Sequence, residues 1–582
     1  AFKACLEFDN ATTEMYVNAA NTLLINNKQE EAYSVLETSI YKGGETANIR
    51  ILMGDILQSE HDYQGAYSQY QQALELAKTK EEKVYAFQKN VEVLLELNDY
   101  EAALELANRS ATQCCKLMRR LFVIPVFYQS VEDKLAIRKR WCSDAALLNK
   151  KLKGLEKSDP DWEELYLYAW SNSNFYLAYQ MEDDRALQEL YAEILCSIIK
   201  PAFEPYMQEI DISEKALERP IKIGIASTHL YNHHGTVWCL GWLEKLRNES
   251  CYQLYTYNLN ATIDSVTKTF SELGVHRNLL LEHHNACSVF NKIQKDNLDI
   301  LIYPDIGMDP HSKILSTLRL APLQITGWGH PVTSGSKQID IYCSGEYMEC
   351  EENDVHYTEK LYRLPKTGLN YKEPAPFKLS KDFLNQYDLP TQRPILSAIQ
   401  SVFKYDPSYD YVLADIAANN PDAIIVMTGH IKNKAISQAL IKRLSLAFET
   451  KGLHIEEHVQ LLPRLNYDDF MTLLSLSYLN LDTIGWNGGN TSFQALYLDC
   501  PIVTLPGSLM RSRHTVALLR TIDLMELVAS DTNEYTTIVQ NLLDKPEFYN
   551  HIKAAITGRK HLLFNDHSVA DAFKKAIDTR FD

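Results

Sequence analysis

Residues 221–227 read IKIGIAS, a short apolar run ending in small residues, and the character of the chain changes there. The run follows Pro220 and leads through STHLYNHHGTVW (227–238) into a helical stretch. A strand apolar along its whole length is buried on both faces rather than half-exposed to water. YQLYTYNL (252–259), LDILIYP (298–304), LQITGW (323–328) and IDIYCS (339–344) repeat the signal, several of them separated by helical stretches. This alternation predicts a parallel sheet covered on both faces. After a connector at 372–394, marked by prolines, a second series begins. Its strands are PILSAIQ (394–400), AIIVMTG (423–429), HVQLLP (458–463), YLNLDT (478–483) and PIVTLPG (501–507). Two successive doubly wound domains create a cleft at the carboxyl ends of their strands.

Upstream of Pro220 the chain reads as helix, rich in Leu, Ala, Glu and Gln. A weak repeat runs through QEEAYSVL, DYQGAYSQYQQALEL and DYEAALELA, placing Ala32, Ala66 and Ala103 at intervals of 34 and 37. Gly54 and Ala66 are small enough for close helix contact, and Tyr70 fills the groove between them. The pattern looks like tetratricopeptide helical pairs, two or three in number; an irregular helical domain is the alternative. The aromatic segment WEELYLYAWSNSNFYLAYQ (162–180) is expected to be a helix pair that docks the helical region onto its neighbour. The expected division is 1–215 helical, 216–385 first α/β domain and 386–582 second α/β domain with the C-terminal helices. By itself the final stretch EFYNHIKAAITGRKHLLF can pack against either α/β domain.

Composition agrees with this plan. The 582 residues, 46% apolar and 10% aromatic, suffice for three or four cored units and exclude a disordered or collagenous chain. A net charge of -18 argues against a general nucleic-acid binder, though it leaves room for a local basic pocket. Eleven cysteines without a CxxC, two of them the adjacent Cys114 and Cys115, suit a reducing compartment. The opening AFKACLEFDNATTEMY has no signal-peptide pattern, and no segment is apolar enough to span a membrane, so a cytoplasmic location is expected. The lack of an initial Met leaves a removed leader open.

Motifs narrow the chemistry by elimination. No GxGxxG follows IKIGIAS, and GxxxxGK[ST], HExxH and closely spaced zinc ligands are missing. The single DPD, at 159–161, lies in the helical region, so no metal is expected at the cleft. A diphosphate handled there must be stabilised by hydroxyls, cationic side chains and helix N-termini. Three loops qualify. His233 and His234 sit where the chain leaves the first strand; either a ligand contact or an ordinary turn histidine fits. Lys404, in QSVFKYDP (400–407), opens the second domain and is either a phosphate partner or a solvated lysine. In DTIGWNGGNTSFQAL (482–496), Gly488 and Gly489 allow a sharp turn, and Asn490, Thr491 and Ser492 can cap the next helix beside an anion.

At these loops the chain resembles the protein O-GlcNAc transferase family, glycosyltransferase family 41, which includes the bacterial cytoplasmic protein N-glucosyltransferases. The resembling segments are IGIASTHLYNHHGT, YPDIGMDPHSKILSTLRLAPLQITGWGHPVTSG, QSVFKYDP, LDTIGWNGGNTSFQALYLDCPIVTLPG and SRH, spread over about 221–530. The resemblance implies a GT-B pair of Rossmann-like domains after a TPR-like region, with a UDP-sugar as donor co-substrate and no other cofactor. It implies an inverting, metal-independent transfer to a protein or peptide acceptor, with no nucleic acid as partner. By motif match, His233 takes the active-site histidine position and Lys404 the essential lysine near the diphosphate. Thr491 matches a hydroxyl residue near the phosphates, with Ser492 beside it, and Asn490 matches the asparagine of the asparagine-modifying branch. His330, Thr333 and Ser334 fall on the loop lining the sugar and acceptor side. Tyr467 stands where the O-GlcNAc enzymes have a uridine-contacting lysine and the asparagine-modifying branch a tyrosine. Gln494 replaces the family's ribose-binding aspartate. GHPVTSG mixes the branches. The expected reaction is therefore sugar transfer to Ser/Thr of cytoplasmic proteins, with hexose transfer to Asn and a weakly active TPR-like interaction scaffold as alternatives.

Overall fold

A computed structural model describes residues 11–210, 220–430 and 434–580. The chain divides into two compact units, Ala1–Val126 with Glu156–Asn172, and Phe127–Leu155 with Ser173–Asp582.

In the first unit, consecutive helices at Thr13–Ile25, Gln29–Tyr41, Ala47–Ser59, Tyr63–Leu76, Lys80–Glu96 and Tyr100–Ala107 are joined by short turns. Their starts follow from local chemistry. Asp62 and Asp99 accept from the backbone N–H of Gly65 and Ala102, and Thr79 forms a reciprocal capping box with Glu82. Ala32, Ala66 and Ala103, the residues that mark the repeat, are all completely buried. Gly54 faces the Tyr70 ring so closely that a Cβ on it would lie 2.4 Å from a ring carbon. Tyr70 is itself fixed, donating its hydroxyl to Asp55 Oδ1 at 2.7 Å.

In the second unit, the first sheet contains β1 (Ile221–Ser227), β2 (Tyr252–Asn258), β3 (Val275–Asn278), β4 (Ile300–Tyr303), β5 (Leu323–Thr326), β6 (Ile341–Gly345) and β7 (Lys360–Leu364). Its order is β3-β2-β1-β4-β5-β6-β7, with every pairing parallel. The second contains β8 (Ile395–Ala398), β9 (Ile424–Thr428), β10 (Val459–Leu462), β11 (Leu479–Leu481) and β12 (Ile502–Val503), in the all-parallel order β10-β9-β8-β11-β12. Both are doubly wound sheets, with switch points between β1 and β4 and between β8 and β11. Loops leaving the carboxyl ends of those strands therefore converge. The apolar runs become the central strands. The edge strands of the first sheet, VHRN and KLYRL, lack such a run, as an edge tolerates polar residues, whereas the edges of the second, VQLL and IV, keep one.

Three boundaries differ from the sequence reading. The helical region is not one unit: helices Val131–Lys151 and Arg185–Phe203 belong with the α/β unit. The expected boundary at 215/216 lies outside the described residues. The second half of the aromatic segment, Phe175–Gln180, is a 3-10 stretch rather than an α-helix. Finally, not all C-terminal helices stay with the second sheet. His567–Asp578 returns to the first, where Phe573 stacks on Trp242 at 4.4 Å and Asp578 accepts from the Tyr252 hydroxyl.

The Gly54 contact gives a stability test. Alanine has the better helix propensity by about 1 kcal/mol, but here its methyl meets a pinned, fully buried ring. Gly54→Ala is expected to destabilise the first unit by about 1–3 kcal/mol. Urea denaturation followed by far-UV circular dichroism measures it, and an unchanged or higher midpoint would refute the close contact.

Candidate active site

The loop after β8 folds back as a 3-10 turn, Val402–Lys404, which returns the Lys404 side chain toward the strand end. Its Nζ donates to Gln400 Oε1 at 3.0 Å and to the Asn487 carbonyl at 3.2 Å. Gln400 passes the contact on, its Nε2 donating to Thr491 Oγ1 at 2.7 Å. Trp486 lies 6.0 Å from the ammonium. Burial lowers the Lys404 pKa to about 8, with the charge of Asp482 opposing the shift.

The loop after β11 is shaped from below by Asp482, which has no exposed surface. Its carboxylate accepts from the Gly488 N–H at 2.8 Å and the Thr504 hydroxyl at 2.7 Å, while burial raises its pKa to about 6. A Cβ at Gly488 would meet Ser492 Oγ, Thr491 Oγ1 and Gln400 Nε2 at 2.4–2.7 Å, so only glycine fits. Helix Asn490–Tyr497 starts at once after this turn, and its N-cap residue, Gly489, makes no side-chain cap. The expectation that 490–492 cap the helix is corrected here. Asn490 reaches across the cleft to His234 Nδ1, 2.6 Å away. Thr491 accepts from Gln400, and Ser492 turns inward to the Gly488 carbonyl and Thr515. The start of the helix thus presents backbone donors beside the Lys404 ammonium, an arrangement suited to an anion.

From the first sheet, the loop after β1 supplies His229, His233 and His234. Burial lowers His233 to about 4, helped by the charges of His229 and His234; burial and Lys404 also lower His234. His229 is held by Asp305, on the loop after β4, at 2.5 Å. Burial opposes charging of His229, but the hydrogen bond and charge of Asp305 outweigh it and raise its pKa. Asp309 completes a group whose possible ligand atoms lie within 4.8 Å of one another. The Nδ1 proton of His229 is already committed to Asp305, so the group is a hydrogen-bonded pair with a second carboxylate nearby.

The remaining residues singled out from the sequence are less concentrated. His330 is buried, 5.1 Å from Phe175 between ring centroids, and lowered to about 3 by burial, Lys313 and Arg511. Thr333 Oγ1 donates to Glu359 at 2.6 Å, and the Ser334 N–H and hydroxyl also donate to it. These two residues brace their loop, and their hydroxyls are spent on that carboxylate. Tyr467 donates to the Ala375 carbonyl at 3.0 Å and makes no direct contact with the Lys404 group. Gln494 lies one turn into the helix, half-buried.

Sequence reasoning passed over Asp305, Asp482 and His514, although all three lie inside the quoted segments. YPDIGMDP leaves a central strand beside β1, and that adjacency was the available signal for Asp305. His514 is 4% exposed, stacks on Trp328 at 4.5 Å, and is lowered to about 3 by burial and Lys404. It joins the two lobes of the cleft.

Known proteins match this architecture. The probable UDP-N-acetylglucosamine–peptide N-acetylglucosaminyltransferase SPINDLY of Oryza sativa subsp. japonica is 25% identical over 357 residues, 59% of this chain and 37% of that protein. SPINDLY of Arabidopsis thaliana is 26% identical over 343 residues, 56% of this chain and 35% of that protein. The probable transferase SEC of Arabidopsis thaliana is 21% identical over 368 residues, 60% of this chain and 36% of that protein. The chain spans little more than a third of the length of these relatives. A solved structure of a Thermobaculum terrenum O-GlcNAc transferase mutant shares the fold, with a TM-score of 0.68 over 98% of this chain and 97% of that one, at 17% identity. The family model described as Glycosyl transferase family 41 matches residues 189–372 and 372–571, covering both sheets and the cleft between them, and the chain belongs to that family.

Proposed function

We propose that the chain transfers a sugar from a UDP-sugar to Ser or Thr hydroxyls of a protein acceptor. The acceptor attacks the anomeric carbon from the face opposite the diphosphate, inverting it. UDP leaves with the bonding electron pair, and no metal takes part in its departure. The observation that carries this reading is the Lys404–Gln400–Thr491 chain at the uncapped start of helix Asn490–Tyr497. In this reading its one cation, positioned hydroxyl and backbone N–H groups meet the charge that a leaving diphosphate gains, which favours the transition state over the ground state. The names of the plant relatives, which specify a peptide acceptor and UDP-N-acetylglucosamine, support the same class. The helical first unit is the natural carrier of an extended acceptor segment. No helix among the described residues is long and apolar enough to cross a membrane.

Labelled UDP-GlcNAc and UDP-glucose incubated with the protein and a whole-cell lysate, followed by intact-peptide mass analysis, test the reading. Label on Ser/Thr supports it, label on Asn replaces the acceptor, and absence of label from protein overturns it. Lys404→Ala is expected to lower kcat by about 10²–10³-fold, the cost of losing one preorganised charge stabiliser, with little change in thermal stability. Near-normal transfer by that variant would remove Lys404 from the mechanism.

The lysine also sets a pH dependence. Its ammonium, lowered to about 8, attracts the diphosphate only when protonated. UDP affinity is therefore expected to fall as pH rises through about 8, with that inflection missing in Lys404→Met. Calorimetric titration from pH 6.5 to 9.5 checks it; an inflection surviving in the variant assigns the effect to another group.

A further inference from the structure

His229 and His233 are stacked with their rings 4.3 Å apart at 19°, and their hydrogen bonds give them opposite tautomers. His229 Nδ1 lies 2.5 Å from Asp305 Oδ2. A carboxylate only accepts, so the proton sits on Nδ1 and the lone pair is left on Nε2. His233 is the reverse. Its Nδ1 accepts the Gly235 N–H at 3.2 Å, so in the neutral ring Nε2 carries the proton. His233 can donate a hydrogen bond at its open end but has no free lone pair to receive a proton.

The His229 arrangement is held through Nδ1 and the main chain. Ser227 Oγ donates to the same Asp305 oxygen at 2.9 Å, and the His229 N–H donates back to Ser227 Oγ at 2.8 Å. Thr236 Oγ1 donates to the His229 carbonyl at 2.6 Å. Asp305 has no exposed surface, whereas the His229 side chain keeps 15% exposure. Its hydrogen bonds all run through Nδ1 and leave Nε2 uncommitted. The loop that carries it also reaches Asn490 through His234. A partly exposed base oriented by a buried carboxylate, with its second nitrogen uncommitted, is the arrangement of general-base catalysis.

We propose that His229, oriented by Asp305, receives the acceptor's proton during transfer, and that His233 positions the acceptor instead. This rests on the glycosyl-transfer reading of the cleft. As the acceptor oxygen bonds to the anomeric carbon, its O–H proton passes to His229 Nε2. The bond to the diphosphate breaks, its electron pair leaves with UDP, and the resulting imidazolium is stabilised by the Asp305 carboxylate until Nε2 loses its proton to water. His229 is the catalytic residue of this step, and Asp305 acts through it as a positioning residue.

The charges around His229 define the test. Asp305 and Asp309 face it from the loop after β4, His233 from its own loop, with His311 beside Asp309. The two carboxylates raise its pKa above 6.5, whereas His233 is lowered to about 4. Transfer is measured from pH 3.5 to 9 with a labelled UDP-sugar and an acceptor peptide for wild type, Asp305→Asn, His229→Gln and His233→Gln. UDP affinity, measured alongside, confirms that each variant retains its folded cleft. The wild type is expected to lose kcat as pH falls, with an inflection above 6.5. Asp305→Asn is expected to lower kcat and shift that inflection downward while leaving the donor KM unchanged. His229→Gln is expected to lower kcat by about 10²–10⁴-fold, and His233→Gln to act mainly on the acceptor KM. An inflection near 4 that vanishes with His233, or one near 6 that ignores Asp305→Asn and so belongs to Asp482, overturns the proposal. So does a loss of wild-type transfer on chelation that added Mn²⁺ restores, which would make the same three groups metal ligands. Wild type that transfers no sugar to any acceptor ends the glycosyl-transfer reading and this one with it. Histidine ¹⁵N spectra separate the two failures, because a His229 protonated on Nε2 rather than Nδ1 when neutral contradicts the pair whatever the activity.

Discussion

Asp184 is a carboxylate with 1% of its side chain exposed, held between two guanidiniums. Arg138 lies 2.8 Å from one oxygen and Arg511 3.1 Å from the other. Arg138 extends the contact to Gln180, whose amide donates to the Tyr128 hydroxyl, and Arg511 donates to the Glu182 carbonyl. Ions this deep are costly to desolvate, and removing one partner of such a pair strands the other at about 3–5 kcal/mol. The benefit is positional. The network fixes the segment Phe175–Gln180, so that Tyr179 stacks on Trp486 at 4.1 Å and Tyr176 meets the edge of Phe403. Trp486 in turn lies against the Lys404 ammonium, and Arg511 lies 5.8 Å from the same indole. The aromatic strap therefore packs against Trp486 and Phe403, the residues flanking Lys404, and ties that lysine's surroundings to a carboxylate far from it in sequence.

That dependence explains which features the sequence made legible. Central strands are apolar on both faces, so IKIGIAS and AIIVMTG announce themselves; of the edges, VQLL and IV keep an apolar run and were legible, whereas VHRN and KLYRL are polar enough to be missed. Lys404, Asn490 and Thr491 were visible because each comes a few residues after the end of a recognisable strand, Lys404 in a 3-10 turn and the other two at the start of a helix. Asp305 and Asp482 were not, since a buried carboxylate is identified by its partners, and those come from other loops. The sequence correctly marked 162–180 as unusually aromatic. It did not reveal that the segment splits between two units, because aromatic density predicts burial without naming the surface that buries it. Similarly, Thr333 and Ser334 look like ligand donors until Glu359, distant in sequence, is seen to take both hydroxyls.

The electrostatics of the cleft reconcile a chain of net charge -18 with an anion site. The acids closest to Lys404 are kept from facing a ligand: Asp482 lies beneath the turn and is committed to Gly488 and Thr504. His330 and His514 are buried and neutral, which spares the cleft additional charge but lets both rings pack against neighbouring aromatic rings. Positive character thus comes from one ammonium and a helix terminus rather than from a basic surface. The helix-terminus contribution is narrow in reach, fading within about a turn, which suits the compact, highly charged diphosphate of the proposed donor better than a polymer.

The two lobes divide the chemistry according to what their switch points can offer. In the second, the chain passes from β11 through glycines directly into a helix, which exposes backbone donors and favours accumulating negative charge. In the first, the residues after β1 and β4 are histidines and aspartates, which suit the movement of a proton. The proposed displacement at a sugar carbon requires both at once, on opposite faces of the reacting centre. Doubly wound sheets that face each other across a cleft satisfy that requirement without either lobe containing the whole site. Direct bridges such as His234 to Asn490 and Trp328 to His514 then do more than hold the lobes together. In the proposed reaction they set the separation between the charge-stabilising and proton-accepting groups, and an error of about 1 Å in such a separation is enough to cost a large share of the rate.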